Sequence, residues 1–317
     1  MPEFAIKTTQ LTRTYRKPGC GTFNAVDNLD LDVKKGEIFA FLGTNGAGKT
    51  TTMKMLLGLT FPSSGSFEIM GGKISDTSIR SKIGYLPEES GLYPFLQVKD
   101  ILKFYAHLFG NTPAWRRERI DQVIDFTGLK DKSSEQVRNL SKGQRQRVGI
   151  AQALINDPEL IFLDEPASGL DPMGIKDLRT MMSVLKHSGK TVFLNSHQLS
   201  EVELVADRVG MIREGKLITV GTLNELLGTD DTVQIAMSNM SPDKARKLIS
   251  NIPDLSKNDW RVDGTTANLL IELDKPDFAD EIITALMTAD AKITSVNKST
   301  QSLEDLFSEI MQSPPKP

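Results

Sequence analysis

The residues best suited to chemistry lie in the stretch Gly43-Thr44-Asn45-Gly46-Ala47-Gly48-Lys49-Thr50. Glycines let a backbone wrap closely and turn its N–H groups toward phosphate oxygens. A lysine at the end of such a loop can reach the β- and γ-phosphates, and the next hydroxyl can hold Mg²⁺. The apolar run Ile38-Phe39-Ala40-Phe41-Leu42 precedes the loop and reads as a buried strand. Thr51-Thr52-Met53-Lys54-Met55-Leu56-Leu57 follows, with apolar residues at helical spacing. Strand, glycine loop and helix form the context that a phosphate-binding loop requires, and the helix N-terminus adds positive potential. A glycine-rich turn without a ligand would need this spacing and context to be accidental.

Two further stretches carry candidate chemistry. Leu160-Ile161-Phe162-Leu163-Asp164-Glu165 reads as a buried strand ending in two carboxylates. Such an end lies at the mouth of an α/β sheet, where ligands sit. Asp164 is suited to Mg²⁺, and Glu165 to polarising an attacking water. In Leu140-Ser141-Lys142-Gly143-Gln144, Ser141 is suited to cap the helix that runs through Val148, Ala151 and Leu154. A helix N-terminus with a serine and a glycine is also a second phosphate-binding surface. The residues alone leave both readings open.

These groups need a sheet edge to hold them. Residues 4–15 and 24–33 alternate as antiparallel strands, 37–42 lead into the glycine loop, and 67–70 and 83–86 add short strands. Between about 97 and 157 the period becomes 3.6. Val98, Ile101, Leu102, Tyr105 and Leu108 share one face, and Ile120, Val123, Ile124 and Phe126 help define another. Buried strands return at 160–163 and 191–194, and Asp171-Pro172 caps and starts a helix between them. Residues 1–221 thus read as an α/β core with an antiparallel β subdomain and a helical arm.

The tail reads differently. Strands at 232–237, 259–262, 268–273 and 293–296 interleave with helices at 241–252 and 277–287, and Ser302-Leu303-Glu304-Asp305 opens a last helix. This order predicts a small ferredoxin-like α+β domain over 229–312. Ser313-Pro314-Pro315-Lys316-Pro317 predicts a frayed end.

A chain of 317 residues is long enough for two domains. Charged residues at 25% and apolar residues at 39% fit a soluble globular protein. No apolar run approaches the roughly 18 residues of a membrane span. Met1-Pro2-Glu3-Phe4 opens no secretory signal, and the single Cys20 excludes an internal disulfide framework or a cysteine-based zinc site. These features predict the cytoplasm. From Thr229 onward 9 Lys and Arg face 15 Asp and Glu, a net of −6, while the first 228 residues hold 29 against 26, a net of +3. Neither part is a nucleic-acid magnet.

Leu140-Ser141-Lys142-Gly143-Gln144 lies 20 residues before Asp164 and 91 after Thr50. At that spacing it resembles the signature motif of ABC-transporter ATP-binding subunits. Tyr15 is similar to the aromatic that stacks on adenine. Ser168-Gly169-Leu170-Asp171 resembles the D-loop, and His197 in Asn195-Ser196-His197 resembles the switch histidine that contacts the γ-phosphate. The resemblance spans about residues 4–221. The tail is similar to an accessory domain of some bacterial exporter ATPases.

The resemblance implies ATP and Mg²⁺ as cofactors. It implies ATP contacts at Tyr15, Gly43, Thr44, Asn45, Gly46, Ala47, Gly48, Lys49, Thr50, Thr51, Ser141, Gly143, Gln144 and Asp171. It places Mg²⁺ at Thr50, Asp164 and Glu88, and catalysis at Glu165, His197 and Lys49. Ser141 and Gly143 would cap the γ-phosphate bound by a second copy, so that two chains sandwich two ATPs. Two positions depart from the pattern. Glu88 stands where the family usually has glutamine, and adds negative charge near the γ-phosphate. Lys142 replaces the second residue of the usual glycine pair, which fits if its side chain points to solvent.

The implied function is an ATPase that dimerises on ATP and powers separate membrane-spanning subunits, in an exporter, from the inner face of the cell membrane. An importer ATPase and a soluble ABC ATPase acting on nucleic acid or ribosomes are the alternatives. The latter generally carry long coiled coils, zinc modules or two fused cassettes; here there is one cassette, one cysteine and no long heptad run. Nucleic acid is not an expected partner.

Overall fold

The elements follow one another as β1 (Phe4–Lys17), β2 (Gly21–Lys34), β3 (Ile38–Leu42), α1 (Lys49–Leu56), β4 (Ser64–Ile69), α2 (Thr77–Arg80) and β5 (Ile83–Leu86). Three longer helices come next, α3 (Val98–His107), α4 (Pro113–Phe126) and α5 (Lys142–Leu154). Then come β6 (Leu160–Asp164), α6 (Pro172–His187), β7 (Thr191–Ser196), α7 (Leu199–Glu203), β8 (Arg208–Arg213), β9 (Lys216–Thr222) and α8 (Leu223–Leu227). The tail holds β10 (Thr232–Ser238), α9 (Pro242–Ile249), β11 (Trp260–Gly264), β12 (Leu269–Leu273), α10 (Ala279–Thr288), β13 (Lys292–Ser299) and α11 (Leu303–Gln312). The computed structural model describes residues 3–17, 19, 21–109, 112–227, 232–256, 259–299 and 302–312. Cys20 and the end from Ser313 lie outside the described residues. The chain divides into two units, Met1–Leu223 and Asn224–Pro317.

The first unit carries two sheets. β2, β1 and β4 form an antiparallel sheet, with Ile6 opposite Val33 and Tyr15 opposite Phe23. The larger sheet runs β5-β6-β7-β3-β8-β9, parallel except for β9. β3, β6 and β7 are buried at every residue, as strands of a parallel sheet covered on both faces must be. Their aromatic residues fill the centre: the rings of Phe39, Phe41 and Phe162 stand 5.7, 5.7 and 5.5 Å from that of Phe193.

The helical arm differs from expectation at one position. Val98, Ile101 and Leu102 are buried on α3, but Leu108 falls past the helix end and is 63% exposed. Strands β8 and β9 have no counterpart among the predicted elements. In Arg208-Val209-Gly210-Met211-Ile212-Arg213 the apolar run is short and bounded by two arginines, which hid a fully buried strand core.

In the second unit the antiparallel sheet runs β11-β12-β10-β13, the strand order of a ferredoxin-like sandwich. α9 and α10 cover it through Ala245, Ile249, Ile282 and Leu286, packed on Val233, Ile235, Val262 and Ile271. α9 stops at Ile249, before the expected Ile252, and α10 starts at Ala279 because Pro276–Phe278 forms a 3₁₀ turn. Ser302 and Asp305 exchange hydrogen bonds as a capping box at the head of α11. Among the described residues no helix is long and apolar enough to cross a membrane.

Candidate functional site

Four neighbouring strands deliver their carboxyl ends to one edge. Glu88 follows β5, Asp164 and Glu165 lie at the end of β6, His197 follows β7, and Gly43 to Thr50 follow β3. Because β5, β6, β7 and β3 are parallel neighbours, these groups gather where open α/β sheets bind ligands.

The glycine loop is wound tightly between β2 and β8. A Cβ on Gly48 would stand 2.3 Å from the Ala25 carbonyl oxygen, and one on Gly43 2.4 Å from that of Ile212. Gly48 also holds φ at 112°, which only glycine adopts without strain. No side chain caps α1, so its first N–H groups face the loop. Gly48→Ala is expected to lower stability by roughly 2–4 kcal/mol and to remove nucleotide binding, through clash and backbone strain together. Thermal unfolding and a fluorescent ATP analogue would read the two effects.

Lys49 is buried, and its Nζ donates to the Gly43 and Thr44 carbonyls at 2.6 and 3.2 Å. Burial pushes its pKa down, and the charges of Glu165, Asp164 and Glu88 push back. A desolvated ammonium bridging its own loop, in front of uncapped helix N–H groups, is an arrangement that can cradle a phosphate. Thr44, Asn45, Gly46 and Thr50 are exposed on this cradle, Ala47 is buried beneath it, and Thr51 is half-buried.

Asp164 is almost fully buried, and burial raises its carboxyl pKa. The Asn195 amide donates to its Oδ1 at 3.1 Å and opposes that rise, Glu88 adds to it, and Lys49 and Lys54 oppose it. Glu165 turns sharply out of β6 with φ at 49°. One of its oxygens, Oε2, takes the His197 backbone N–H at 3.2 Å and faces His197 Nδ1 at 2.7 Å. A carboxylate only accepts, so Nδ1 carries the proton there. Oε1 has no part in these bonds. Among the described residues no three His, Cys, Asp or Glu side chains cluster as a metal site. The oxygen donors Thr50, Asp164 and Glu88 nonetheless fit Mg²⁺, which takes few protein ligands and completes its shell with phosphate and water.

A second cluster forms at the heads of α5 and α6. Ser141 caps α5: its Oγ accepts from the Gln144 N–H at 3.2 Å, and Gln144 Oε1 accepts from the Ser141 N–H at 3.0 Å. Asp171 caps α6 by accepting from the Gly174 N–H at 2.8 Å. The two heads touch. Leu170 Cδ2 lies 3.4 Å from where a Cβ on Gly143 would be, and the Lys142 side chain occupies the space a Cβ on Gly169 would need. Lys142 is therefore exposed yet laid across the loop before α6, rather than free in solvent. Gln146 ties this cluster to the first, its Nε2 donating to the Pro166 carbonyl at 3.0 Å.

Tyr15 stands apart on β1. The Arg13 guanidinium covers its ring at 4.6 Å, and Phe23 lies 6.0 Å away. Burial raises the phenol pKa, but hydrogen bonding to Arg13, Thr60 and Thr51 outweighs it and holds the pKa below its ordinary value. Through Thr51 the ring adjoins the first turn of α1. Sequence reasoning missed Arg13, two residues from Tyr15 on the same strand, Asn195, which meets Asp164 across 31 residues, and Gln146, which meets the Pro166 carbonyl across 20.

A family model described as ABC transporter matches residues 26–168. An uncharacterized ABC transporter ATP-binding protein of Nostoc sp. is 40% identical over 307 residues, 95% of this chain and 88% of that protein. The Nod factor export ATP-binding protein I of Cupriavidus metallidurans is 37% identical over 227 residues, 70% of this chain and 75% of its own. Among solved structures, a dimeric post-hydrolysis state of an ATP-binding cassette bound to ADP and Pi aligns with a TM-score of 0.63 at 27% identity, covering 69% of this chain and 98% of that one.

Proposed function

Because the chain belongs to the ATP-binding subunits of ABC transporters, which hydrolyse ATP, we propose that two copies close head to tail on ATP and so drive the membrane-spanning subunits of an exporter. The observation that carries this reading is the division of the site. Lys49, Asp164, Glu165 and His197 gather at one sheet edge, whereas Ser141 and Gly143 stand at the head of α5 against the α6 loop. Each chain then offers a cradle and a cap, and a second copy joins them.

In this reading the loop from Gly43 to Thr51 holds the phosphates by its N–H groups, with Tyr15 against the adenine. Lys49 leaves its two carbonyls for the phosphate oxygens. Thr50, Asp164 and Glu88 would hold Mg²⁺, which would supply positive charge against the phosphates. Glu165 orients the attacking water through Oε1 and takes up its proton, and His197 steadies Glu165 while facing the γ-phosphate. Ser141, Gly143, Gln144 and Asp171 serve the partner's nucleotide. The tail is an accessory domain. Export is favoured by a relative named for Nod factor export.

The chain would sit on the cytoplasmic face of the membrane through its partner subunits. Tyr93, Phe95, Leu96 and Phe104 are exposed between Glu88 and the end of α3, an apolar surface suited to a short helix of a membrane subunit. That surface is tied to the signature turn: the Val137 N–H donates to Leu96 O at 3.0 Å, the Arg138 N–H donates to Pro94 O at 2.9 Å, and the Arg138 guanidinium lies 5.5 Å over Phe95. Co-purification with a candidate membrane-spanning subunit tests the proposal. The double variant Tyr93→Ser with Phe95→Ser is expected to lose at least 10-fold in recovered partner, as central aromatic anchors do. Undiminished recovery would place the docking surface elsewhere.

A further inference from the structure

Asn195 is fully buried at the carboxyl end of β7, in register with Asp164 on β6. Its Nδ2 donates to Asp164 Oδ1 at 3.1 Å and lies 3.9 Å from Met53 Sδ of α1. Its backbone carbonyl accepts the Glu165 N–H at 2.9 Å. One residue thus touches the helix behind the glycine loop, the Asp164 carboxylate and the main chain of Glu165. The amide cannot turn over, because a carboxylate needs the NH₂ and not the oxygen. That leaves Asn195 Oδ1 buried without a hydrogen-bond partner. An orphaned buried acceptor destabilises a fold. A strand core that otherwise reads Val192-Phe193-Leu194 therefore keeps a polar residue that costs stability, at the one position facing Asp164.

We propose that Asn195 is a positioning residue that fixes the Asp164 carboxylate for the divalent cation and anchors the turn carrying Glu165. This rests on the ATPase reading above. The Nδ2 bond holds Asp164 Oδ1 and does not engage Oδ2. The Asn195 carbonyl holds the main chain at the strained residue 165. His197, two residues on, takes the Glu165 side chain, so one segment of β7 orients both acids.

The test uses the full chain with Asn195→Leu, which keeps volume and removes the donor, and Asn195→Ala in case the first fails to fold. Phosphate release is titrated with Mg²⁺, ATP-analogue binding is measured in EDTA, and thermal unfolding is followed for each protein. The Mg²⁺ concentration for half-maximal turnover is expected to rise about 10-fold or more, as when the partner of a metal ligand is lost. Binding in EDTA should stay at the wild-type level. A folded variant with wild-type Mg²⁺ dependence would overturn the proposal. So would a loss of EDTA binding in step with a lowered midpoint, which would make Asn195 a packing residue. Absence of Mg²⁺-dependent turnover in the wild-type protein would instead overturn the ATPase reading.

Discussion

Glu165→Gln is expected to lower ATP turnover by about 10³-fold, some 4 kcal/mol of barrier, while ATP binding survives. The amide keeps the size of the side chain and can still accept from the His197 N–H that now reaches Oε2 at 3.2 Å. It cannot take a proton from water. The cradle at Gly43 to Thr50 and the ammonium of Lys49 are untouched, so the nucleotide still binds. With hydrolysis stopped, the two chains should stay closed, and size-exclusion chromatography with ATP and Mg²⁺ should give a long-lived dimer. A monomer that turns over ATP at the wild-type rate would remove Glu165 from the chemistry.

Lys49→Ala is expected to act earlier, on binding itself. Lys49 is the cation that faces Asp164, Glu165 and Glu88 from the loop. Without it the γ-phosphate meets those three carboxylates without the ammonium of the loop, and a charge-assisted contact is lost. Affinity for ATP should fall by about 10²-fold or more, and turnover with it. The two variants therefore separate: one binds and does not cleave, the other does neither. A fluorescent ATP analogue distinguishes them, and Lys49→Ala with wild-type affinity would contradict the cradle described here.

The parts of the site that read directly from the sequence are those whose chemistry is contiguous. The glycine loop, the Asp164-Glu165 pair and the Ser141 turn each bring their own strand or helix with them, and the structure seats each on the expected element. The ferredoxin-like strand order of the tail was legible for the same reason, as alternation and turn residues mark each strand. What stayed hidden depends on pairs far apart in the chain. Asn195 meets Asp164 across 31 residues and Gln146 meets Pro166 across 20, and neither spacing has a local signature. The sequence accommodates Lys142 on condition that it points to solvent, yet its side chain fills the space above Gly169, a contact fixed only when α5 and α6 pack. Leu108 kept the helical period of α3 but fell beyond its last turn.

The central claim is that a cradle on one chain is completed by the cap of another. Two inactive variants test it most directly: Lys49→Ala, with an intact cap and a broken cradle, and Gly143→Trp, with an intact cradle and a blocked cap. Mixed in equal amounts they should regain about a quarter of wild-type turnover, since half the dimers are mixed and each has one complete site. Gly143→Trp active alone, or a mixture as inactive as its parts, would contradict the account.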